Sequence, residues 1–215
     1  MAPDGEPQGL YLIVEVADAA GAVARLRAAL DAAPVRAVLL APACGAVLSA
    51  DSVRAALELA QKDGIAALIE DDDALARALG ADGVHLTWSS DIEQRFRQAR
   101  ETVGGRAIVG VEAGSSRHDA MTLGEAGADY VAFSIAAGDT EAARADRLDL
   151  CAWWSEIFEV PCVAFDCADA EDARDLAEAG VDFLAVRLAA GASPAEVAER
   201  VEMVARALAR REGVS

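Results

Sequence analysis

Hydrophobic positions recur along the chain in two alternating patterns. Short runs rich in leucine, valine and isoleucine alternate with longer stretches in which apolar residues recur every three or four positions. The first pattern is typical of buried β-strands and the second of amphipathic α-helices. The pattern therefore predicts eight strands, each followed by a helix, with the strands beginning near Leu10, Arg36, Ala66, Gly83, Ala107, Tyr130, Pro161 and Phe183.

The predicted strands are apolar throughout, which is typical of a parallel sheet covered on both faces. A glycine followed two positions later by aspartate recurs at residues 80–82, 127–129 and 180–182, about every second strand–helix unit. Such a spacing is expected of an eight-fold barrel. We therefore predict an α/β fold with a single (β/α)8 TIM barrel over residues 10–215, after a flexible segment at 1–9. An open doubly wound sheet is the alternative.

The charge balance limits the classes of partner. The chain carries 19 basic and 37 acidic residues, a formal net charge of −18. This charge opposes binding to nucleic acid or to an anionic membrane surface. Lys62 is the only lysine, and the four cysteines form no Cys-x-x-Cys pair. The N-terminal residues lack the pattern of a signal peptide, and we expect a cytoplasmic protein with reduced thiols.

Acidic residues follow several predicted strands. Glu15, Glu70 with Asp71, Glu112 and Asp166 stand at the carboxyl ends of four of them. Active sites of TIM barrels lie at this end. Converging carboxylates there would bind a hard cation, or one of them would have a raised pKa suited to acid–base catalysis. The alternative is that these side chains point outward or cap the following helices.

Three other features of the sequence are candidates for a role. His85 lies within a predicted strand, where it is either a ligand-binding group or a hydrogen-bonded core histidine. Arg187 follows the last strand and is a candidate anion ligand. The aromatic pair Trp153–Trp154 indicates a packing face of a helix, or part of an interface in a homodimer.

Two segments resemble thiamine phosphate synthase and its thiazole tautomerase relatives. Residues 67–72 with 79–86, reading Ala-Leu-Ile-Glu-Asp-Asp and Leu-Gly-Ala-Asp-Gly-Val-His-Leu, are similar to the family's Asn-Asp strand end and its Gly-Ala-Asp-Gly-Val-His-Leu motif. Residues 108–113 and 126–131 continue the similarity in register. The resemblance implies a (β/α)8 barrel. It also implies a Mg²⁺-dependent transferase that joins hydroxymethylpyrimidine diphosphate to a thiazole phosphate.

The resemblance also implies roles for individual residues. Asp71 matches a magnesium ligand, and Asp91 stands beside the position of the second one, at Ser90. The family's Gln-x-Arg-x-Lys on strand 2 falls on Val38, Leu40 and Pro42. Its serine after strand 5 becomes Glu112, the tautomerase histidine becomes Gly114, and the glycine pair after strand 7 becomes Asp166-Cys167. The Pro-Thr-x-Thr-Lys loop falls on residues 135–147, where Arg144 and Arg147 are the available cations.

These departures lead to three hypotheses. The first is a divergent barrel that has lost the standard synthase site and binds a small ligand, phosphorylated or not, or a cation at an acidic mouth. In it Glu70, His85, Glu112, Asp166 and Arg187 bind the ligand. The second is an active synthase with Mg²⁺ on Asp71 and Asp91 and with arginines in place of lysines. The third is a non-catalytic regulatory or scaffolding protein. The sequence identifies no catalytic residue.

Overall fold

The chain folds into eight strand–helix units. A computed structural model describes residues 9–135 and 140–209. The strands are β1 Gly9–Val16, β2 Ala37–Pro42, β3 Ala66–Glu70, β4 Gly83–Leu86, β5 Ile108–Glu112, β6 Tyr130–Phe133, β7 Cys162–Ala164 and β8 Phe183–Leu188. The helices are α1 Ala19–Ala32, α2 Ala50–Lys62, α3 Asp73–Leu79, α4 Ile92–Val103, α5 Arg117–Glu125, α6 Glu141–Ile157, α7 Ala170–Glu178 and α8 Pro194–Ala209.

The eight strands form one closed parallel barrel in sequence order. β8 pairs with β1, with Leu10 opposite Leu184 and Leu12 opposite Val186, and this pairing closes the sheet. The structure therefore confirms the predicted (β/α)8 barrel and excludes the open sheet. Each strand begins within one residue of its predicted start. Gly9 opens β1, whereas the rest of the predicted flexible segment lies outside the described residues.

The core has two layers because side chains alternate across each strand. One cluster of buried residues comes from the strands and from Phe165, the residue after β7, and it fills the inside of the barrel; its members include Tyr11, Ile13, Leu39 and Leu68. The other cluster joins the outward faces of the strands to the helices. A residue that belongs to the first cluster therefore lies on the face of its strand that points into the barrel.

The repeated aspartates join neighbouring strands at the amino-terminal end of the barrel. Asp82 accepts a hydrogen bond from the backbone amide of Ala67 at 2.9 Å. Asp129 and Asp182 do the same for Val109 at 2.7 Å and Cys162 at 2.8 Å. The glycine of each repeat has a positive φ, of 69°, 94° and 89° in turn, a conformation that glycine adopts with little strain. The repeat is therefore structural.

The tryptophan pair of α6 packs within the chain. Trp154 is fully buried and donates from Nε1 to the carbonyl of Val160 at 2.7 Å. Trp153 lies beneath the guanidinium of Arg117, 4.7 Å from carbon to ring centre. Only Ile157, 60% exposed, leaves a large apolar side chain of this helix open. The predicted packing face is present, and a homodimer remains a prediction.

Among residues 9–135 and 140–209, no helix has the length and apolar character needed to cross a membrane.

Candidate functional site at the barrel mouth

Polar residues from five strands face inward at the carboxyl end of the barrel. Each lies two positions after a residue that faces the interior, so strand alternation turns it toward the mouth. These residues are Glu15 on β1, Glu70 on β3, Glu112 on β5, Ser134 after β6 and Arg187 on β8. The charges of Arg187, Glu112 and Glu15 all act on the carboxyl of Glu70. The predicted convergence of acidic side chains therefore occurs, around Glu70.

Glu70 is the central group of this cluster. Partial burial, and secondarily the negative charges of Asp71, Glu112 and Glu15, raise its pKa to about 7 against an opposing effect of Arg187. Within residues 9–135 and 140–209 its side chain makes no hydrogen bond or ion pair. A half-buried carboxyl that changes protonation near neutral pH is suited to donate or accept a proton.

Glu112 stands on β5, and β4 lies between it and Glu70 on β3. It accepts a hydrogen bond from the hydroxyl of Ser134 and a longer one, 3.4 Å, from the backbone amide of Trp88. The Trp88 side chain is half-exposed, and its Nε1 donates to Asp119 at 3.1 Å. The mouth thus has a flat aromatic side chain next to a carboxylate at its rim.

Arg187 is already paired within the mouth. Its Nη1 lies 3.3 Å from Oε1 of Glu15, and Oε2 of Glu15 accepts from the amide of Ala190 at 3.0 Å. An anion that bound Arg187 would have to compete with the carboxylate of Glu15. The structure therefore brings Arg187 to the predicted site, in a setting less favourable to phosphate than the sequence indicated.

His85 is fully buried inside the barrel, next to Glu70 in the pairing of β3 with β4. Its Nδ1 is hydrogen-bonded to the hydroxyl of Tyr130 at 2.9 Å, which contacts the hydroxyl of Tyr11 at 2.8 Å. Burial lowers the pKa of His85 to about 4, so the ring is neutral near pH 7. Its Nε2 is buried without a partner in the described part of the chain. The core-histidine alternative fits these contacts.

Gly110 makes room for this aromatic stack. A Cβ at this position would lie 1.9 Å from the ring of Tyr130, far inside the contact distance of two carbon atoms. The Tyr130 ring in turn stacks on His85 with 5.7 Å between centres. A glycine in a strand interior is typical of such a close approach.

Asp71 turns away from the interior at the end of β3. Its φ is 55°, in the left-handed region that aspartate tolerates better than most residues. Oδ1 accepts from the amide of Thr87 at 2.9 Å, and Oδ2 from its hydroxyl at 2.5 Å. Nη2 of Arg95 lies 2.5 Å from Oδ1. Asp72, its neighbour, caps α3 by accepting from the amide of Leu75 at 2.8 Å.

The two predicted magnesium ligands are linked through one arginine. Arg95 also donates to the carbonyl of Thr87 at 2.9 Å and to the hydroxyl of Ser89 at 3.1 Å. That hydroxyl donates to Asp91 at 2.7 Å. Both oxygens of Asp71 thus have protein donors, and a cation already occupies its Oδ1. This donor set does not fit Mg²⁺, which binds carboxylate oxygens directly and keeps several waters. No group of three or more candidate metal ligands is present in the described ranges.

Asp166 follows the inward-facing Phe165 and has a φ of 57°. Its Oδ2 accepts from the backbone amide of Ile135 at 3.2 Å. This hydrogen bond joins Asp166 to the segment after β6, and a ligand-binding role for it stays a prediction.

The inward face of β2 differs from the register that the resemblance suggested. Val38 and Leu40 pack against the helices, whereas Leu39 and Ala41 face the interior. The inward residues are apolar in either register, so no polar group of β2 reaches the mouth. Residues 141–147 of the segment expected to be a loop belong to α6, which begins at Glu141.

The two arginines of that segment lie in α6 and have carboxylate partners. Arg147 is buried, and it contacts Asp172 and donates to the carbonyl of Phe165 at 2.6 Å. Arg144 lies 3.4 Å from Asp169. Neither is a free cation that replaces a lysine of the mouth.

Sequence reasoning missed Arg95 and Tyr130 as parts of the site. Arg95 stands three positions after the buried Ile92 of α4, so its place near the barrel was a weak signal. Tyr130 opens β6, and the glycine at position 110 on the neighbouring strand was the available sign of a large inward side chain.

Comparison with known proteins assigns the chain to a family. The family model of thiamine monophosphate synthase matches residues 10–190. The thiamine-phosphate synthase of Rhodospirillum centenum is 41% identical over 186 residues, covering 86% of this chain and 83% of that protein. The enzyme of Erythrobacter litoralis is 45% identical over 126 residues, and the match covers 57% of this chain and 58% of that protein's length.

Solved structures share the fold. The thiamine phosphate pyrophosphorylase of Pyrococcus furiosus superposes with a TM-score of 0.72 at 21% identity, covering 97% of this chain and 98% of that one. A tryptophan synthase chain of Mycobacterium tuberculosis superposes with a TM-score of 0.74 at 17% identity, over 94% and 93% of the chains. At these identities the likeness concerns the barrel alone. The sequence matches carry the assignment further, and the chain belongs to the thiamine monophosphate synthase family.

Proposed function

We propose that this chain is a divergent member of its family that binds a small, positively charged ligand at the acidic mouth and no longer carries out the magnesium-dependent synthase reaction. The observation that carries the proposal is the unpaired, half-buried Glu70, with Glu112 and Glu15 close by. A cationic group on the ligand would replace the missing partner of Glu70. Such a ligand also suits a protein with a net charge of −18.

The distribution of basic side chains supports this proposal. Arg187, Arg95, Arg144 and Arg147 each contact a carboxylate. A diphosphate ligand would have to break such pairs, and each charge-assisted hydrogen bond that it fails to regain costs about 1.5–3 kcal/mol. Two such losses at the transition state would slow the reaction by roughly 100-fold or more. A ligand with a single phosphate has Arg187 as its best contact, in competition with Glu15.

The protonation of Glu70 gives the mouth its chemistry. Because its pKa is about 7, Glu70 can hold a proton before a ligand binds and release it as a cation approaches. Trp88 at the rim offers a face for the cation, an attraction worth about 0.5–1 kcal/mol at an exposed site. We expect the affinity for a cationic ligand to rise between pH 6 and pH 8 as Glu70 loses its proton.

The decisive experiment measures two activities in one purified sample. The first is formation of thiamine phosphate from hydroxymethylpyrimidine diphosphate and thiazole phosphate with Mg²⁺, with the Rhodospirillum centenum protein as positive control. The second is calorimetric binding of benzyltrimethylammonium, compared with its neutral isostere neopentylbenzene. We expect no turnover. We also expect the protein to bind benzyltrimethylammonium but not neopentylbenzene, and Glu70→Gln to weaken the binding of the cation. Turnover at a catalytic rate, or equal binding of both probes, would contradict the proposal.

The second candidate is an active synthase. Family membership and the retention of Asp71 at the end of β3 favour it. In this case Asp71→Ala should abolish thiamine phosphate formation, while Glu58→Gln, on the exposed face of α2, should leave it unchanged. If both variants keep the full activity, the turnover does not depend on the expected magnesium ligand.

A further inference from the structure

The Arg95 guanidinium contacts Asp71, the residue that the family resemblance matches to a magnesium ligand. It lies between Asp71, which it contacts at 2.5 Å, and Ser89, whose hydroxyl is bonded to Asp91. The two carboxylates that would share a divalent cation are thus connected through one side chain of α4. The arrangement is partly buried, with 27% of the Arg95 side chain and 37% of the Asp71 side chain exposed.

The contacts also fix the guanidinium in place. Nη1 donates to the carbonyl of Thr87 and to Ser89, and Nη2 donates to Asp71. The same Thr87 holds Asp71 through its amide and its hydroxyl. Arg95 and Asp71 are therefore oriented by a shared residue, which reduces the entropy lost in forming the pair.

We propose that Arg95 replaces the divalent cation of this mouth. The guanidinium is part of the chain, so it neutralises Asp71 whatever the concentration of free Mg²⁺. The wild-type protein therefore has no Mg²⁺ site at Asp71. This inference rests on the proposed loss of the magnesium-dependent reaction and names its structural cause. With Asp71 paired to Arg95, Glu70 is the neighbouring carboxyl that is left without a partner in the described ranges.

Removal of Arg95 should uncover a metal site. In Arg95→Gln, Asp71 loses its cation, and a divalent ion can take the freed carboxylate as one ligand and Asp91 as a second. We expect one Mn²⁺ to bind to this variant, at least about tenfold more tightly than to wild type, because a unit charge next to the site has been removed. The second variant, Arg95→Gln with Asp71→Asn, should lose that site.

The test measures Mn²⁺ binding by electron paramagnetic resonance, with the control Arg97→Gln. Arg97 is exposed on the same helix, so this control removes the same charge without touching Asp71. Circular dichroism reports whether each variant folds. Binding of Mn²⁺ to Arg95→Gln that exceeds the control and requires Asp71 supports the inference.

Two results would overturn the inference. One is Mn²⁺ binding to wild type that Asp71→Asn abolishes, which needs no Arg95 variant to fold. The other is equal binding to folded Arg95→Gln and Arg97→Gln. Both outcomes are separate from the proposed function, because thiamine phosphate formation and benzyltrimethylammonium binding are measured on wild type without Mn²⁺. If the wild type binds Mn²⁺ at Asp71 and still shows no turnover, the inference about Arg95 is refuted and the proposed function is not.

Discussion

Replacement of Glu70 by glutamine should stabilise the protein, and the gain should grow with pH. The pKa of Glu70 rises from 4.5 to about 7 on folding, so the folded state holds a proton that the unfolded state releases. A group of this kind contributes stability that is fully present below pH 4.5 and is lost as the pH rises through 7. The shift corresponds to about 3 kcal/mol at full development, of which about 2–3 kcal/mol falls between pH 5 and pH 8.5.

The assay is urea denaturation at pH 5 and pH 8.5 for wild type, Glu70→Gln and the exposed-site control Glu58→Gln. Comparison of each variant with wild type at the same pH cancels the titration of all other groups. The free energy of unfolding of Glu70→Gln should exceed that of wild type by about 2–3 kcal/mol more at pH 8.5 than at pH 5. The control difference should not change with pH. If the difference in free energy of unfolding between Glu70→Gln and wild type does not change with pH, Glu70 is not an unpaired carboxyl with a raised pKa.

Three further substitutions test the packing by urea denaturation at pH 7. Gly110→Ala places a methyl group against the ring of Tyr130 and should destabilise the fold by about 1–3 kcal/mol; an unchanged midpoint would show that the barrel interior has free space. Arg147→Met leaves the nearly buried carboxylate of Asp172 unpaired and should cost about 3–5 kcal/mol, with a smaller loss in the double variant that also carries Asp172→Asn. Asp182→Ala removes the acceptor for the first amide of β7 and should cost about 1 kcal/mol of stability. An unchanged stability would contradict a structural role for the repeat.

The sequence predicted the barrel well because each strand and helix has its own local pattern. The observed start of every strand lies within one residue of the predicted start. The inward register of β2 was missed, because a run of continuous apolar residues has no alternation that separates Leu39 from Leu40.

The site was predictable in part. The position of Glu70 at a strand end was enough to identify it, since carboxyl ends of parallel strands share one mouth. The pairing of Arg95 with Asp71 was not predictable, because these residues are 24 positions apart and belong to different units. Which of several carboxylates an arginine contacts depends on side-chain rotamers, and these are set only by the folded environment.

The three aspartate hydrogen bonds at the amino-terminal end divide the barrel into modules. They join β3 to β4, β5 to β6 and β7 to β8, each within one strand–helix–strand unit. Arg36 precedes β2 where the other three units have aspartate. The joints lie at the end of the barrel opposite the mouth, so substitutions among the ligand-binding positions leave them intact. A barrel built in this way can change its chemistry over evolutionary time while keeping its architecture.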